Sequence, residues 1–139
     1  MAKQMIDLQW ISNMAFNANL NGHEIVLDAE EAAGGHNLGP RPKSLLLAAL
    51  GGCTGMDVVS ILKKMKIELV WFNIRIEGEV TEEHPKQFTQ FHLIYEFKGK
   101  DLPFDQLKRA VDLSQEKYCG ISATLRKAAG ITYEIRILE

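Results

Sequence analysis

The chain has 139 residues, of which 46% are hydrophobic and 24% are charged, and its formal net charge is −2. This length and composition suit a single globular domain spanning residues 1–139, with an ordinary hydrophobic core. Acidic and basic residues are interspersed without a basic stripe, so we expect neither a nucleic-acid partner nor a membrane partner.

Three antiparallel strands are predicted at the start of the chain. The segments MIDLQWI and MAFNAN alternate apolar and polar residues, and Asn21-Gly22 before HEIVLD is a strong signal for a two-residue hairpin turn. The following loop, residues 29–42, contains three glycines and two prolines. A loop of this length is too long for a simple connection, which indicates a role at a site or an interface.

A long helix is predicted from Pro42 to about Lys66, since proline suits a first helical turn. Between positions 44 and 56 the helix carries no charge on any face, so it must be buried nearly all round. A single copy of a chain this small leaves such a helix partly uncovered. We therefore expect a homodimer in which two central helices bury each other.

The remaining segments complete an α+β pattern. VWFNIRIEGEV and QFTQFHLIYEFKG each place apolar residues on one face at period two, which is typical of strands. Asp101 is the expected N-cap of a following helix, a short helix is expected over residues 122–129, and TYEIRIL closes the chain as a strand. The predicted order is βββ-α-ββ-αα-β, an antiparallel sheet packed around the central helix.

The chain contains two cysteines, Cys53 and Cys119, and they are 66 positions apart without a CxxC motif. The N-terminal stretch MAKQMIDLQWISN lacks the apolar region of a secretory signal, which predicts a cytoplasmic protein. In a reducing compartment such a pair is catalytic, redox-active or simply buried rather than a permanent disulfide. The four histidines are scattered without ligand-like spacing, so we expect no metal and no cofactor.

Cys53 lies in the middle of the apolar helix. Its helical face also carries the candidate pocket or supporting residues Leu46, Leu50, Met56 and Asp57. An apolar wall disfavours a thiolate, so a reactive Cys53 requires a nearby cation or hydrogen-bond donor. The charge of Asp57 opposes a thiolate, and we expect this carboxylate to have an N–H or lysine partner elsewhere.

The nearest cations are Arg41, our candidate catalytic cation, and Lys43, both at the junction of loop and helix. Lys43 precedes Cys53 by ten residues. On a continuous helix this spacing corresponds to about 15 Å of axial rise, which excludes direct contact within one helix. Two arrangements remain: the loop folds back so that Arg41 reaches the sulfur, or the cation comes from the partner's helix.

Gly51 and Gly52 each cost about 1 kcal/mol in a helix interior relative to alanine, so another helix or a substrate is expected to approach closely beside Cys53. Cys119 lies between two predicted helices, and free N–H groups at the start of the second favour a thiolate there. From composition alone, two inert core cysteines are the alternative, because cysteine is often buried as a small hydrophobe.

Two segments of the chain resemble segments of a known protein family: GPRPKSLLLAALGGCTGMDVVSILKKM and AVDLSQEKYCGISATL. They are similar to the central helix and the second-cysteine segment of the OsmC/Ohr family, the osmotically inducible and organic hydroperoxide resistance proteins, and to its OsmC-like branch in particular. The resemblance implies an intertwined homodimer that reduces organic hydroperoxides. In that cycle Cys53 is the peroxidatic nucleophile, Cys119 is the resolving thiol, and an external dithiol is the reductant.

The chain departs from the family pattern in two ways. It has no arginine before Arg41, so the arginine that the family contributes from its N-terminal half has no counterpart, and it lacks the family's glutamate. The family's peroxidases pair the reactive cysteine with an arginine and with a glutamate ten residues before it, and that position is Lys43 here. Glu30 and Glu31 are the acidic residues that could substitute. Two alternatives therefore stay open: a catalytically weak or inactive OsmC-like protein that binds an apolar small molecule in its dimer-interface pocket, and a thiol redox sensor.

Overall fold

The computed structural model describes all residues, 1–139. Its strands and helices are, in chain order, β1 (Asp7–Ser12), β2 (Ala15–Leu20), β3 (His23–Leu27), α1 (Pro42–Lys64), β4 (Trp71–Val80), β5 (Phe88–Lys98), α2 (Phe104–Leu113), α3 (Gly120–Arg126) and β6 (Gly130–Ile137). This order confirms the predicted α+β class. The chain divides into two compact units, residues 1–46 and 47–139.

The first unit contains the antiparallel sheet β1-β2-β3. Asn21 and Gly22 have positive φ angles of 51° and 81°, as the predicted two-residue turn between β2 and β3 requires. Ala15 and Ala18 of β2 are buried, whereas every residue of β1 is exposed. The apolar side chains of β1 therefore remain uncovered in a single chain.

The loop after β3 is held in place by hydrogen bonds between its backbone and the side chain of Asp28. The buried carboxylate of Asp28 accepts hydrogen bonds from three N–H groups, those of Ala29, His36 and Leu38. Burial by itself raises the pKa of Asp28, but these donors outweigh it and lower the pKa below its usual value. A Cβ atom on Gly39 would lie 1.9 Å from the Val26 carbonyl oxygen, so only glycine fits this close backbone approach.

The second unit contains the sheet β4-β5-β6. Strands β4 and β5 pair antiparallel, as predicted for adjacent strands. Strand β6 pairs with β5 in parallel, which differs from the expected antiparallel sheet. The connection through α2 and α3 is long enough to return the chain to the end of the sheet where β5 begins, and a parallel pair needs such a crossover.

The core of this unit lies between one face of the sheet and the helices. Period-two alternation in β5 buries Phe91, Leu93, Tyr95 and Phe97, as the sequence predicts. The helices contribute Leu50, Val58 and Leu62 of α1 and Leu107, Ala110 and Val111 of α2. The core is thus built from strand residues that alternate and helix residues spaced three or four apart.

Helix α1 is buried on one face only in a single chain. Leu50, Val58 and Leu62 are in the core, whereas Met56 is 76% exposed and Val59 is 49% exposed. The predicted burial all round is therefore not achieved within one copy. By length and composition α1 could also cross a membrane, but the core helix of a soluble protein meets the same criterion, and one face of α1 packs in the core of this unit.

Both later helices begin elsewhere than predicted. Asp101 is not an N-cap, because α2 begins after Pro103 and Asp101 lies in the preceding turn with a φ of 52°. Helix α3 begins at Gly120 and ends at Arg126, so it lies earlier than the predicted 122–129. The earlier start matters for function, because it makes the residue before α3, a cysteine, the N-cap of the helix.

Candidate active site

The fold brings the two cysteines together. Cys53 lies on α1, and Cys119 precedes α3. Their sulfur atoms and a carboxylate oxygen of Asp57 all lie within 4.8 Å of one another, and both cysteines are free thiols. Two residues 66 positions apart thus form one cluster, together with a carboxylate one helical turn after Cys53.

The position of Cys119 is fixed by the turn that joins α2 to α3. Residues 114–118 form a π-helical turn, and the Cys119 N–H donates to the Ser114 carbonyl oxygen at 2.7 Å. The Cys119 backbone is extended, and its sulfur accepts a hydrogen bond from the Ser122 N–H at 3.3 Å. The sulfur therefore caps the first turn of α3, where a hydroxyl or carboxylate is usual.

The two thiols differ in exposure. Cys119 is 3% exposed, whereas Cys53 is partly exposed. Burial raises the pKa of the Cys119 thiol, interaction with Ser122 offsets part of the rise, and the Cys53 sulfur adds to it. Cys119 is therefore held protonated near neutral pH, and Cys53 is the sulfur that a solute reaches first.

Asp57 does not have the separate lysine or N–H partner that we expected. Its carboxylate lies with the two sulfurs and accepts a hydrogen bond from the Ser114 hydroxyl at 3.0 Å. The i, i+4 spacing on α1 places Asp57 beside Cys53, and the π-helical turn supplies the donor. A partner from elsewhere in the chain was expected and is present, but it is a hydroxyl rather than the predicted N–H or lysine.

A buried polar network supports the cluster, and sequence reasoning missed it. The Thr54 hydroxyl shares hydrogen bonds of 2.7 Å with the hydroxyls of Tyr95 and Ser114. Gln115 donates to the Tyr95 hydroxyl at 2.8 Å, and Arg126 donates to the Gln115 side chain at 3.1 Å. The signal in the sequence was Ser114, a polar residue within the apolar stripe of the predicted helix.

The glycines before Cys53 have different surroundings. A Cβ atom on Gly51 would lie 2.6 Å from Cδ1 of Ile76, so the expected close approach is made by strand β4. A Cβ atom on Gly52 would meet no atom within 4 Å. Gly52 and the exposed Met56 line an open groove between α1 and β4, together with Gly55, Ile74 and Ile76.

The candidate cations do not bond to the sulfurs. Arg41 is half-buried and donates from Nη1 to the Gly39 carbonyl oxygen at 2.8 Å, and Lys43 is exposed in the first turn of α1. Neither Cys53 nor Cys119 accepts a hydrogen bond from a lysine or an arginine. The predicted cation partner of Cys53 therefore stays a prediction.

The remaining candidate residues on α1, Leu46 and Leu50, differ in burial. Leu50 is fully buried in the core, and Leu46 is 38% exposed. Cys53, Asp57 and Cys119 form the group whose ligand atoms lie close enough together to hold a metal ion. The arrangement as a whole offers an accessible thiol, a buried thiol within reach, and a carboxylate held by a hydrogen bond.

The fold and the site together define a class of small α+β proteins in which two free thiols, one on the central helix and one at a helix N-cap, lie next to each other. Residues 35–134 match the family model described as OsmC-like protein. The chain is 35% identical over 132 residues to Protein YhfA of Escherichia coli K12, covering 94% of this chain and 96% of that protein. The chain belongs to the OsmC-like family, which confirms the resemblance seen in the sequence.

Solved structures share this fold. A crystal structure of a hypothetical protein from Aquifex aeolicus VF5 matches with a TM-score of 0.84 and 31% identity over 100% of both chains. The organic hydroperoxide resistance protein OhrB of Bacillus subtilis matches with a TM-score of 0.66 and 17% identity, covering 95% of this chain and 98% of that one. The second likeness concerns the fold alone.

Proposed function

We propose that the protein is a thiol-dependent peroxidase that reduces organic hydroperoxides through a cycle of its two cysteines. The observation that carries this proposal is the placement of the Cys53 and Cys119 sulfurs within 4.8 Å of each other. A disulfide requires an S–S distance of about 2.05 Å, so the two sulfurs have to approach each other by less than about 3 Å. Family membership supports a redox role for such a pair.

The difference in exposure supports a division of roles. In the proposed cycle the Cys53 thiolate attacks the O–O bond of the hydroperoxide, the O–O bond breaks, and the leaving oxygen takes a proton to become an alcohol. Cys53 becomes a sulfenic acid. Cys119 then attacks the Cys53 sulfur and water leaves, which forms the disulfide, and an external dithiol reduces it by exchange. The raised pKa of Cys119 keeps this buried thiol from competing as first nucleophile.

The open groove between α1 and β4 supports an organic substrate, although Cys53 itself does not line it. Met56, Ile74 and Ile76 line this groove, together with three glycines, of which Gly52 directly precedes Cys53. An apolar lining gains free energy by covering the hydrocarbon part of an organic hydroperoxide, and hydrogen peroxide has no such part. We therefore expect a preference for alkyl or aryl hydroperoxides over hydrogen peroxide.

The proposal includes a cytoplasmic homodimer. The exposed face of α1 and the fully exposed strand β1 leave large apolar side chains uncovered, among them Leu8, Trp10, Met56 and Val59. Monomeric soluble proteins rarely expose apolar patches of this kind. A second copy that covers them would also allow the cation beside Cys53 to come either from Arg41 of the same chain or from the partner subunit.

A catalytically weak protein that binds an apolar small molecule is the second candidate. Lys43 in place of the family's glutamate and the lack of a lysine or arginine hydrogen-bonded to either sulfur favour it. Such a protein would use the open groove between α1 and β4 without needing the thiols. The two candidates therefore differ in whether loss of the Cys53 sulfur changes any measurable chemistry.

The test is a coupled peroxidase assay with cumene hydroperoxide and a dithiol, in the presence of a metal chelator. Wild type is expected to consume peroxide over many turnovers, and Cys53→Ser is expected to lose this activity. Cys119→Ser is expected to complete one turnover and stall, because the sulfenic acid has no resolving thiol. Thr124→Ala, an exposed change on α3, is the control and should match wild type. Equal rates for wild type and Cys53→Ser would end the peroxidase proposal in favour of the binding protein.

A further inference from the structure

The cluster of Cys53, Asp57 and Cys119 carries the ligand atoms of a metal site. Two sulfurs and a carboxylate oxygen lie within 4.8 Å of one another, with Cys53 and Asp57 one turn apart on α1. Two ligands at i and i+4 on one helix, joined by a third from another segment, can converge on one point. Sulfur ligands favour thiophilic ions such as Zn²⁺, whereas Ca²⁺ and Mg²⁺ take oxygen ligands.

The distances suit a tetrahedral ion after a small adjustment. Bonds of about 2.3 Å to sulfur and about 2.1 Å to oxygen place two sulfurs about 3.8 Å apart, and a sulfur and an oxygen about 3.6 Å apart. The two sulfurs therefore need to approach each other by about 1 Å at most, and each sulfur needs to approach the carboxylate oxygen by about 1.2 Å at most. The side chains of Cys53 and Asp57 are partly exposed, which leaves room for the torsional adjustment that this requires.

An ion that binds the cluster also changes its charge. Without an ion the Cys119 thiol stays protonated, whereas binding through both thiolates displaces that proton and leaves three negative ligand charges in a partly buried space, which require compensation. No lysine or arginine donates a hydrogen bond to either sulfur, and the described partner of the Asp57 carboxylate is the neutral Ser114 hydroxyl. A divalent cation supplies the compensation that the side chains do not.

The surroundings of the cluster resemble the outer shell of a metal site. Ser114 donates to one oxygen of Asp57, which leaves the other oxygen free, and the Ser122 N–H donates to the Cys119 sulfur. The Ser122 hydroxyl is fully buried without a hydrogen-bond partner, and Ser122 lies in the first turn of α3, three residues after Cys119. A metal-bound thiolate gives this hydroxyl an acceptor, and hydrogen bonds of this kind orient ligands.

We propose that the reduced protein binds one thiophilic divalent ion, with Zn²⁺ as the ion to test, through the thiolates of Cys53 and Cys119 and the carboxylate of Asp57. The fourth position is open to water, because Cys53 and Asp57 are partly exposed. Such a site holds its ion exchangeably, unlike a closed structural site with four protein ligands.

The bound ion competes with the disulfide. Oxidation converts the two thiolates, one hydroperoxide and two protons into a disulfide, an alcohol and water. The ion then leaves, because a disulfide has no thiolate to bind it. Binding itself does not depend on the proposed peroxidase activity, whereas release by hydroperoxide rests on it. The ion would shield the thiols until an oxidant arrives.

The binding test uses the reduced full chain, Zn²⁺ and a chromophoric chelator in competition. One Zn²⁺ per chain is expected, and the affinity is expected to fall at least about tenfold in Asp57→Asn and at least about a hundredfold in Cys53→Ser. Asp105→Asn, an exposed carboxylate on α2, is the matched control and should bind like wild type. Circular dichroism checks that each variant is folded. Unchanged affinity in both Asp57→Asn and Cys53→Ser, or failure of the wild type to bind Zn²⁺, would overturn the proposal.

A second measurement does not depend on variants. Co²⁺ added to the wild type is expected to produce the intense near-ultraviolet absorption of thiolate coordination, and oxidation with diamide should abolish it. Binding of equal strength by the disulfide form would exclude these sulfurs as ligands. Because the peroxidase assay contains a chelator, failure of that activity leaves these results unaffected, and the two proposals can fail separately.

Discussion

Replacing Thr54 with valine tests whether the buried polar network stabilises the fold around the cysteines. Valine keeps the shape of threonine, so the change removes a hydroxyl without leaving a large cavity. The lost hydroxyl makes hydrogen bonds of 2.7 Å with both Tyr95 and Ser114, and it accepts a longer one of 3.4 Å from Gln115. At a net value of about 1 kcal/mol for each of the two short bonds, Thr54→Val should lower the free energy of unfolding by about 2 kcal/mol.

The loss should not be much larger, because both partners keep another hydrogen bond. Tyr95 still accepts from Gln115 at 2.8 Å, and Ser114 still donates to Asp57 at 3.0 Å. Neither hydroxyl is then left buried without a partner, which would add about 1–3 kcal/mol for each. For a chain of this length the expected loss corresponds to a fall in Tm of roughly 6–10 °C.

Urea unfolding at one fixed protein concentration measures this loss, since association of copies would otherwise change the apparent stability. Tyr95→Phe completes a double-mutant cycle, in which we expect a coupling energy of about 1 kcal/mol with Thr54→Val. Thr124→Val, an exposed change on α3, is the control and should stay within about 0.5 kcal/mol of wild type. A midpoint for Thr54→Val equal to that of this control would refute the reasoning.

Two further predictions concern other parts of the chain. Gly39→Ala should lower the free energy of unfolding by about 2 kcal/mol or more, because the new Cβ atom would lie 1.9 Å from a backbone oxygen. Gly52→Ala, whose Cβ atom meets no atom within 4 Å, should change the free energy of unfolding by at most about 1 kcal/mol. Equal effects of the two changes in urea unfolding would contradict the loop geometry. Asp112→Asn should destabilise the protein near neutral pH, because hydrogen bonds from Lys108 and Tyr133 lower the pKa of Asp112 despite its burial. A lowered pKa stabilises the folded state at pH values above the unfolded pKa of about 3.9, and this stabilisation is lost as the pH falls through the folded pKa. The difference in unfolding free energy between Asp112→Asn and wild type should therefore disappear in acid. A difference that does not depend on pH in urea titrations would refute this prediction.

Much of the fold could be predicted from local patterns. Alternation in β5 and the Asn21-Gly22 turn depend on residues within a few positions of each other, and both predictions are confirmed. The start of α2 was predicted wrongly, because Asp101 is a good N-cap by type but Pro103 stands between it and the helix. Proline disfavours a helical backbone at the residue before it, so the helix does not begin at Leu102, and Pro103 takes the N-cap position instead of Asp101.

The site could be predicted only in part. The family resemblance singled out both cysteines, whereas exposure separated the accessible Cys53 from the buried Cys119. Asp57 was recognised on the same helical face as Cys53, but its hydrogen bond from Ser114 comes from a turn almost sixty residues away. A helical pattern states which residues share a face and says nothing about what packs against that face.

By itself, the sequence determined the order of strands and helices, the central position of α1, and the two cysteines as the candidate reactive groups. These properties follow from hydrophobic periodicity and residue type, which act over short distances along the chain. Only the tertiary structure decided that β6 runs parallel to β5, that Thr54 joins a buried polar network, and that two sulfurs and the Asp57 carboxylate share one cluster. The physical reason is that these arrangements arise from packing between distant segments, where the direction of each side chain depends on its neighbours in space.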